Sequence, residues 1–274
     1  MKRLLRAEFY KLHISFTFKI FTLCNFTTAI CSVIIISMLG NSSLTAIPNE
    51  ILEQIHSNGV YNIGFIQFND ISDLLNISSD FVIYSSFKNY FPLIYLAIFI
   101  TIYILKEFQY GGIRNFLLKG FNRTIVIFSK YVALMTCIAL NIVIYFFCYC
   151  VTSIIAFGPP NVGNIKIMQI IIFLTIQIFL YISFASICIM LVILIQHNTV
   201  IFINASMVIM GTMIINLIMI ITNNQINLSK FWILNYVQKL TPIDIDISLF
   251  TVGIITIIVS VIITIIKFKH IEFN

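Results

Sequence analysis

The sequence predicts an all-α membrane protein of six transmembrane helices with both termini in the cytoplasm. A basic amphipathic helix precedes the first span, and a short cytoplasmic helix joins the second span to the third. Three observations carry this reading. Of 274 residues, 60% are hydrophobic and only 9% are charged, with a mean hydropathy of +1.04; a soluble domain carries roughly 25% charged residues. Six apolar runs reach the ~20 residues that a helix needs to cross about 30 Å of hydrocarbon. Finally, the lysines and arginines gather on one side of those runs.

The runs lie at about 18–39, 88–106, 127–156, 167–195, 200–222 and 247–267, and residues 1–274 read as one membrane domain. The N-terminal "MKRLLR" followed by an apolar run resembles a signal peptide. The run from Phe16 to Leu39 is, however, longer than the usual 7–15-residue apolar core, so it reads as an uncleaved first span. The third and fourth runs are long enough to tilt or to project beyond the bilayer. Clear turn signals separate the spans at "FGPPNVGN" (157–164) and "NNQINLSK" (223–230). Four polar residues, "QHNT" (196–199), make a tight helical hairpin between the fourth and fifth.

With the N-terminus inside, the cytoplasmic segments hold Lys2, Arg3, Arg6, Lys11 and Lys19, then Lys106, Arg114, Lys119, Arg123 and Lys130, then Lys267 and Lys269. The outer segments hold only Lys88, Lys166, Lys230 and Lys239. Acidic residues are reversed: Glu8, Glu107 and Glu272 lie inside, and the other seven lie outside. The net charge of +6 therefore reports orientation rather than a nucleic-acid surface. A long outer loop, 41–86, contains helix-like pieces "PNEILEQI" and "NDISDLLN".

The spans are as informative for what they lack. No Asp, Glu, Lys, Arg or His stands between Lys130 and Lys166, or between Asp246 and Lys267. Ion-coupled transporters place such groups in their spans. The mid-span polar residues are instead amides and hydroxyls, such as Asn141, Gln177, Asn204 and Asn216. These serve as interhelical hydrogen-bond glue or line a substrate path. No nucleophile, zinc or phosphate-loop motif is present; "GPPNVGNI" places Asn164 where a phosphate-binding lysine belongs. The six cysteines all fall in apolar runs without metal spacing, as small buried hydrophobes do.

Two amphipathic pieces belong to the inner surface. In "MKRLLRAEFYKLHISF", Leu5, Phe9, Leu12 and Phe16 recur at helical spacing, predicting a helix on the inner leaflet with its cations near anionic headgroups. In "KEFQYGGIRNFLLKGFNRT" (106–124), a helical projection puts Ile113, Phe116, Leu117, Gly120 and Phe121 on one face and Asn115 and Lys119 opposite. Gly111-Gly112 and Gly120 allow bends at its two ends.

This second stretch resembles the first cytoplasmic loop of the ABC-2 type transporter permeases, which reads E-[FY]-x-x-G-[TS], a short helix, [SN]-R and then a lysine entering the third span. The matching residues are Glu107-Phe108, Gly111-Gly112, Asn122-Arg123 and Lys130. Size and the basic start are similar to the small permeases of bacteriocin and lantibiotic immunity or export. Gly112 departs from the family's hydroxyl residue, and Asn122 replaces the commoner serine.

The resemblance implies that residues 107–123 form a coupling helix docked on a separate ATPase subunit, with Glu107, Tyr110, Gly111, Arg114, Asn115, Phe116, Leu117, Lys119, Gly120 and Arg123 as its working residues. Ile113, Phe116 and Leu117 would anchor in the ATPase or seat the helix against its own bundle. Arg114, Lys119 and Arg123 would meet acidic groups of the ATPase or phospholipid. It further implies a second permease chain, identical or a sister. ATP and Mg would sit on the ATPase, with no cofactor and no enzyme site in this chain, and the location would be the bacterial plasma membrane. The segment 228–245, holding Trp232 and Pro242, resembles the family's re-entrant hairpin before the last span; an interfacial aromatic anchor is the alternative. Two functions compete: an exporter permease for a hydrophobic or amphipathic peptide or drug, and a non-transporting scaffold or sensor whose charged loop binds another partner.

Overall fold

The computed structural model describes residues 2–41, 61–63, 66–68, 82–83, 85–87, 89–158, 167–221, 232–239 and 247–271. Nine helices are described: α1 (Lys2–Ile14), α2 (Phe16–Asn41), α3 (Phe91–Gln109), α4 (Gly112–Leu118), α5 (Arg123–Phe157), α6 (Ile167–Ile195), α7 (Val200–Ile221), α8 (Ile233–Lys239) and α9 (Ile247–Lys269). Among the described residues the strands form an antiparallel ribbon within the long loop, where Tyr61–Ile63 (β1) pairs with Ile66–Phe68 (β2). The helix-like pieces expected at 48–55 and 69–76 lie outside the described residues.

Among the described residues five helices are long and apolar enough to cross a membrane: α2, α3, α5, α6 and α9. The chain is a multi-pass membrane protein. α7 has 22 residues, of which Val200–Gly211 forms a shorter apolar stretch. The elements match the predicted runs to within a few residues, with α5 extended to 35. Exposed apolar side chains form continuous stripes, such as Leu140, Ile144, Phe147, Val151 and Ile154 on α5 and Ile254, Ile258, Ile262 and Ile266 on α9. Stripes at this spacing suit a lipid surround, where no burial is needed to hide them.

Local chemistry sets the breaks. Ser15 separates α1 from α2: its amide donates to Lys11 O at 2.9 Å, and its Oγ accepts from Phe18 N at 3.3 Å. One serine thus ends the first helix and caps the second. Asn89 Oδ1 accepts from Phe91 N at 3.0 Å, and Pro92 follows in the first turn of α3, where its missing N–H leaves nothing unsatisfied.

Packing between spans is apolar with a few polar ties. Asn25 of α2 donates to Asn141 Oδ1 of α5 at 2.7 Å, Asn204 of α7 to Thr101 Oγ1 of α3 at 2.8 Å, and Gln177 of α6 to Val237 O of α8 at 3.2 Å. Each of these amides is buried. α6 and α9 approach closely at Gly253, where a Cβ would meet Phe179 Cε1 at 2.3 Å, while Ser183 Oγ lies 3.4 Å from Gly253 O. Filling that contact overpacks the seam. Gly253→Leu is expected to lower unfolding stability in detergent by about 1–3 kcal/mol, read as a shifted thermal midpoint; an unchanged midpoint would show that the seam is loose.

Candidate functional site: a bracketed helix over a buried ion ring

The charged stretch 106–124 forms a rigid bracket. Gly111 enters α4 with φ at +68°, and Gly120 leaves it at +80°, both in the region where a side chain is strained. Gly120 N donates to Leu117 O at 2.9 Å and Phe121 N to Phe116 O at 3.4 Å. This is the Schellman pattern, and its usual apolar contact is present as an edge-on pair of Phe116 and Phe121 with centroids 6.4 Å apart. Asn122 Oδ1 then accepts from Thr124 N at 3.2 Å and caps α5. Asparagine caps as well as serine, so that departure from the family pattern preserves the geometry. Gly112 is also unconstrained: a Cβ there would meet Glu107 Cδ and Glu107 O at 3.6 Å, an ordinary contact.

α4 has two unlike faces. Ile113 is buried, and Phe116 and Leu117 are half-buried against the bundle. The alternative in which these three seat the helix on its own protein is the one observed. The outward face holds Arg114, Asn115 and Lys119, all exposed, together with Tyr110 at 78% exposure and Leu118 at 75%. Leu118 was not among the predicted residues. In the projection Leu118 flanks the apolar arc, and only the inward tilt of the helix decides that it faces out.

Beneath α4 lies an ion cluster that joins three other helices. Lys130 of α5 pairs with Glu107 Oε2 of α3 and lies 3.0 Å from Glu8 Oε1 of α1. Lys11 Nζ of α1 lies 3.3 Å from Glu107 Oε1 and 3.9 Å from Glu8 Oε1. Each ammonium thus touches both carboxylates, in a ring of zero net charge. Tyr103 OH donates to Glu8 Oε2 at 3.2 Å, and the Phe116 ring covers the cations, with Lys11 Nζ 4.5 Å and Lys130 Nζ 5.8 Å from its centroid. Glu8 is 1% exposed and Lys130 4%. Burying a lone ion costs several kcal/mol; full pairing is what keeps these charged groups inside.

The ring adds a packed face to the first helix. The face of α1 that packs on the bundle is Leu4, Glu8 and Leu12, all buried, while Phe9 and Phe16 of the predicted stripe are exposed. Lys11 pairs with Glu107 while its side chain stays part-exposed. The sequence did hold a signal for this: Glu8 is the one acid of its helix, and Lys130 the one charge inside an apolar run of some thirty residues. A lone charge in such a place needs a partner.

Arg123, expected to face a partner, is engaged within the chain. Its Nη1 donates to Lys269 O and Ile271 O, both at 2.8 Å, satisfying carbonyls at the end of α9 that have no partner inside the helix. Gln109 Nε2 donates to Asn198 Oδ1 in the α6–α7 turn at 3.1 Å. The bracket, the 196–199 turn and the end of α9 therefore share one end of the bundle.

Of the residues considered for a substrate path, Asn141, Gln177 and Asn204 make the interhelical bonds given above; the side chain of Asn216 lies outside the described residues. Apolar grooves lie among the described residues. One of about 490 Å³ runs between α6 and α9 along Ile171, Thr175, Phe179 and Phe250. Another, about 110 Å³, lies between α2 and α3 along Phe21, Cys24, Tyr95 and Phe99. None of the three amides lines either. The hairpin expected over 228–245 lies mostly outside the described residues; within it, α8 packs on α6, and Trp232 lies against α7 at Gly211. Among the described residues no three His, Cys, Asp or Glu side chains converge on a metal position.

Removing one cation from the ring would strand a carboxylate. Lys130→Met is expected to cost about 3–5 kcal/mol of stability, measured by unfolding in detergent. Adding Glu8→Gln leaves the matched Lys11–Glu107 pair, so the double variant should be more stable than the single one. A double variant no better than the single would mean that the four charges do not act as one unit. No protein family, curated protein or solved structure matches the chain.

Proposed function

We propose that the chain is the membrane-spanning subunit of an ATP-driven exporter of the ABC-2 type, with α4 as its coupling helix. The single observation that carries the reading is the construction of α4. It is a short helix fixed at both ends, seated by Phe116 on a ring of ions from three other helices, and presenting an exposed face of Tyr110, Arg114, Asn115, Leu118 and Lys119. A helix that only linked two spans would need neither the clamp nor two large apolar side chains turned to water. Such a face fits a groove with an apolar floor and acidic walls on a separate ATPase subunit, which would hold ATP and Mg.

Six crossings with both termini inside are supported by the hydrogen bonds at the bracket's end. The 196–199 turn and the end of α9 lie beside α4, so the chain has to travel away and back between them; α7 supplies the outward leg. A cytoplasmic bracket then follows from the positive-inside distribution. The ionisable side chains of the described spans cluster at the bracket's end of the bundle rather than at mid-depth, which suits energy delivered mechanically from outside the chain. On this reading a second permease chain completes the transporter, the lipid bilayer is that of the bacterial plasma membrane, and the cargo is a hydrophobic or amphipathic peptide or drug, as in bacteriocin immunity and export.

The outward residues give the decisive test. Tyr110→Ala with Leu118→Asp should abolish co-purification with an ATPase encoded beside this gene while leaving membrane insertion and thermal stability unchanged. Phe116→Asp should instead destabilise the permease itself, because that ring lies inward over two lysines. A complex that survives the Tyr110/Leu118 change removes the coupling assignment, and binding without ATP-dependent export leaves a scaffold or sensor. Export in vesicles should also persist when the proton gradient is collapsed and ATP is supplied; loss under that condition would point to an ion relay.

A further inference from the structure

The loop segment just before α3 enters the protein interior. Ser85–Phe87 forms a single 3₁₀ turn whose three residues are all buried, Phe87 at 1% exposure. Phe87 fills an aromatic box made by two helices. Its ring centroid lies 5.7 Å from Tyr145 and 5.8 Å from Phe146 of α5, and 5.9 Å from Phe173 and 5.7 Å from Tyr181 of α6. Phe146 stacks on it at 10°, and Tyr181 meets it edge-on at 69°. Tyr145 OH donates to the main-chain carbonyl of Ser86 at 2.7 Å.

The box is reachable because α3 is short. Its 19 residues span about 28 Å, whereas the 35 residues of α5 span about 52 Å. α5 and α6 therefore run on past the start of α3, and Ser85–Phe87 occupies the space between them. The fit is good for the ring and incomplete for the polar groups. Tyr181 OH and Ser86 Oγ are both buried with no hydrogen-bond partner, and Tyr149 OH reaches Ser85 Oγ only at 3.4 Å. Buried hydroxyls of this kind are normally paired. The box thus offers one donor that its present occupant leaves unmet.

What holds the segment is a contact to a backbone carbonyl and a cage for one aromatic side chain. Neither is particular to this loop; any extended peptide with a Phe, Tyr or Trp presents the same two groups. We propose that the Tyr145–Tyr181 box is a receptor for an aromatic residue of an extended, uncharged peptide, and that Phe87 occupies it in this conformation as an internal stand-in. The assignment deepens the exporter reading and rests on it for the name of substrate. The donor that Phe87 leaves idle, Tyr181 OH, would meet a further carbonyl of the incoming peptide. Release of Ser85–Phe87 would then open the box and its binding would close it, so cargo and plug exclude one another.

The test uses acetyl-Ser-Ser-(4-azidophenylalanine)-amide as photoprobe on the purified full chain in lipid nanodiscs, with labelled residues located by mass spectrometry. In the unaltered protein the tethered Phe87 competes at an effective concentration on the order of millimolar. Phe87→Ala should therefore raise labelling of the 145–149 and 173–181 stretches by about ten-fold or more. Excess acetyl-Ser-Ser-Phe-amide should block it and acetyl-Ser-Ser-Ala-amide should not, and adding Tyr145→Phe should weaken it. Phe87→Leu, which keeps most of the volume, should give a smaller rise and decides the matter if the alanine variant fails to fold. No rise in a folded variant, or a rise that the Ala peptide blocks equally, would overturn the proposal. The assay contains no ATPase, so the two readings fail separately. Labelling without ATPase binding removes the transporter and keeps the box, while ATPase binding without labelling does the reverse.

Discussion

Four charged side chains, three of them buried, organise one end of this protein. Glu8, Lys11, Glu107 and Lys130 come from α1, α3 and α5, and each cation contacts both anions. In a medium where an unpaired ion costs several kcal/mol, such a ring restricts how its helices can be arranged. α1 has to lie across the end of the bundle, because Glu8 is needed there. α3 must end where Glu107 reaches Lys130. Phe116 then finds a flat, cationic floor, and α4 is seated by that contact.

The short helix α4 is rigid for local reasons and oriented for tertiary ones. Its two left-handed glycines, the Schellman exit and the Asn122 cap are all properties of the chain between 111 and 124. They make a helix of seven residues possible despite the poor intrinsic stability of so short an element. Which side faces out is a different matter. The ring draws Phe116 inward, Ile113 and Leu117 follow on the same side, and Tyr110, Arg114 and Leu118 are left to the surface. Any partner of this end of the molecule meets that second set.

Along the described spans the polar groups are few, and each buried amide uses only one of its two polar atoms. Asn141 accepts from Asn25, and Gln177 and Asn204 donate across to another element; in hydrocarbon such bonds contribute about 0.6 kcal/mol each. Their value lies in register more than in energy, since an amide in lipid has few other partners. Other buried polar atoms stay unmatched: the second polar atom of each of these amides and of Asn25, Trp232 Nε1, and, at the Phe87 box, Tyr181 OH and Ser86 Oγ.

The sequence by itself determined the membrane class, the approximate ends of the helices and the bracketed amphipathic segment. These depend on composition, on periodicity and on glycine, serine and asparagine chemistry, all of which act within a few residues. It also contained the clues to the ring, a single acid in α1 and a single lysine in an apolar run, but not their pairing. Glu8 and Lys130 are 122 positions apart, and nothing local brings them together. Tertiary structure alone decided that Lys11 pairs with Glu107, that Arg123 closes the end of α9, that Leu118 faces out while Phe116 does not, and that Phe87 leaves its loop for the core. Each depends on which helices become neighbours, and a one-dimensional pattern cannot state the cost of a buried charge or an empty box until the walls around it exist.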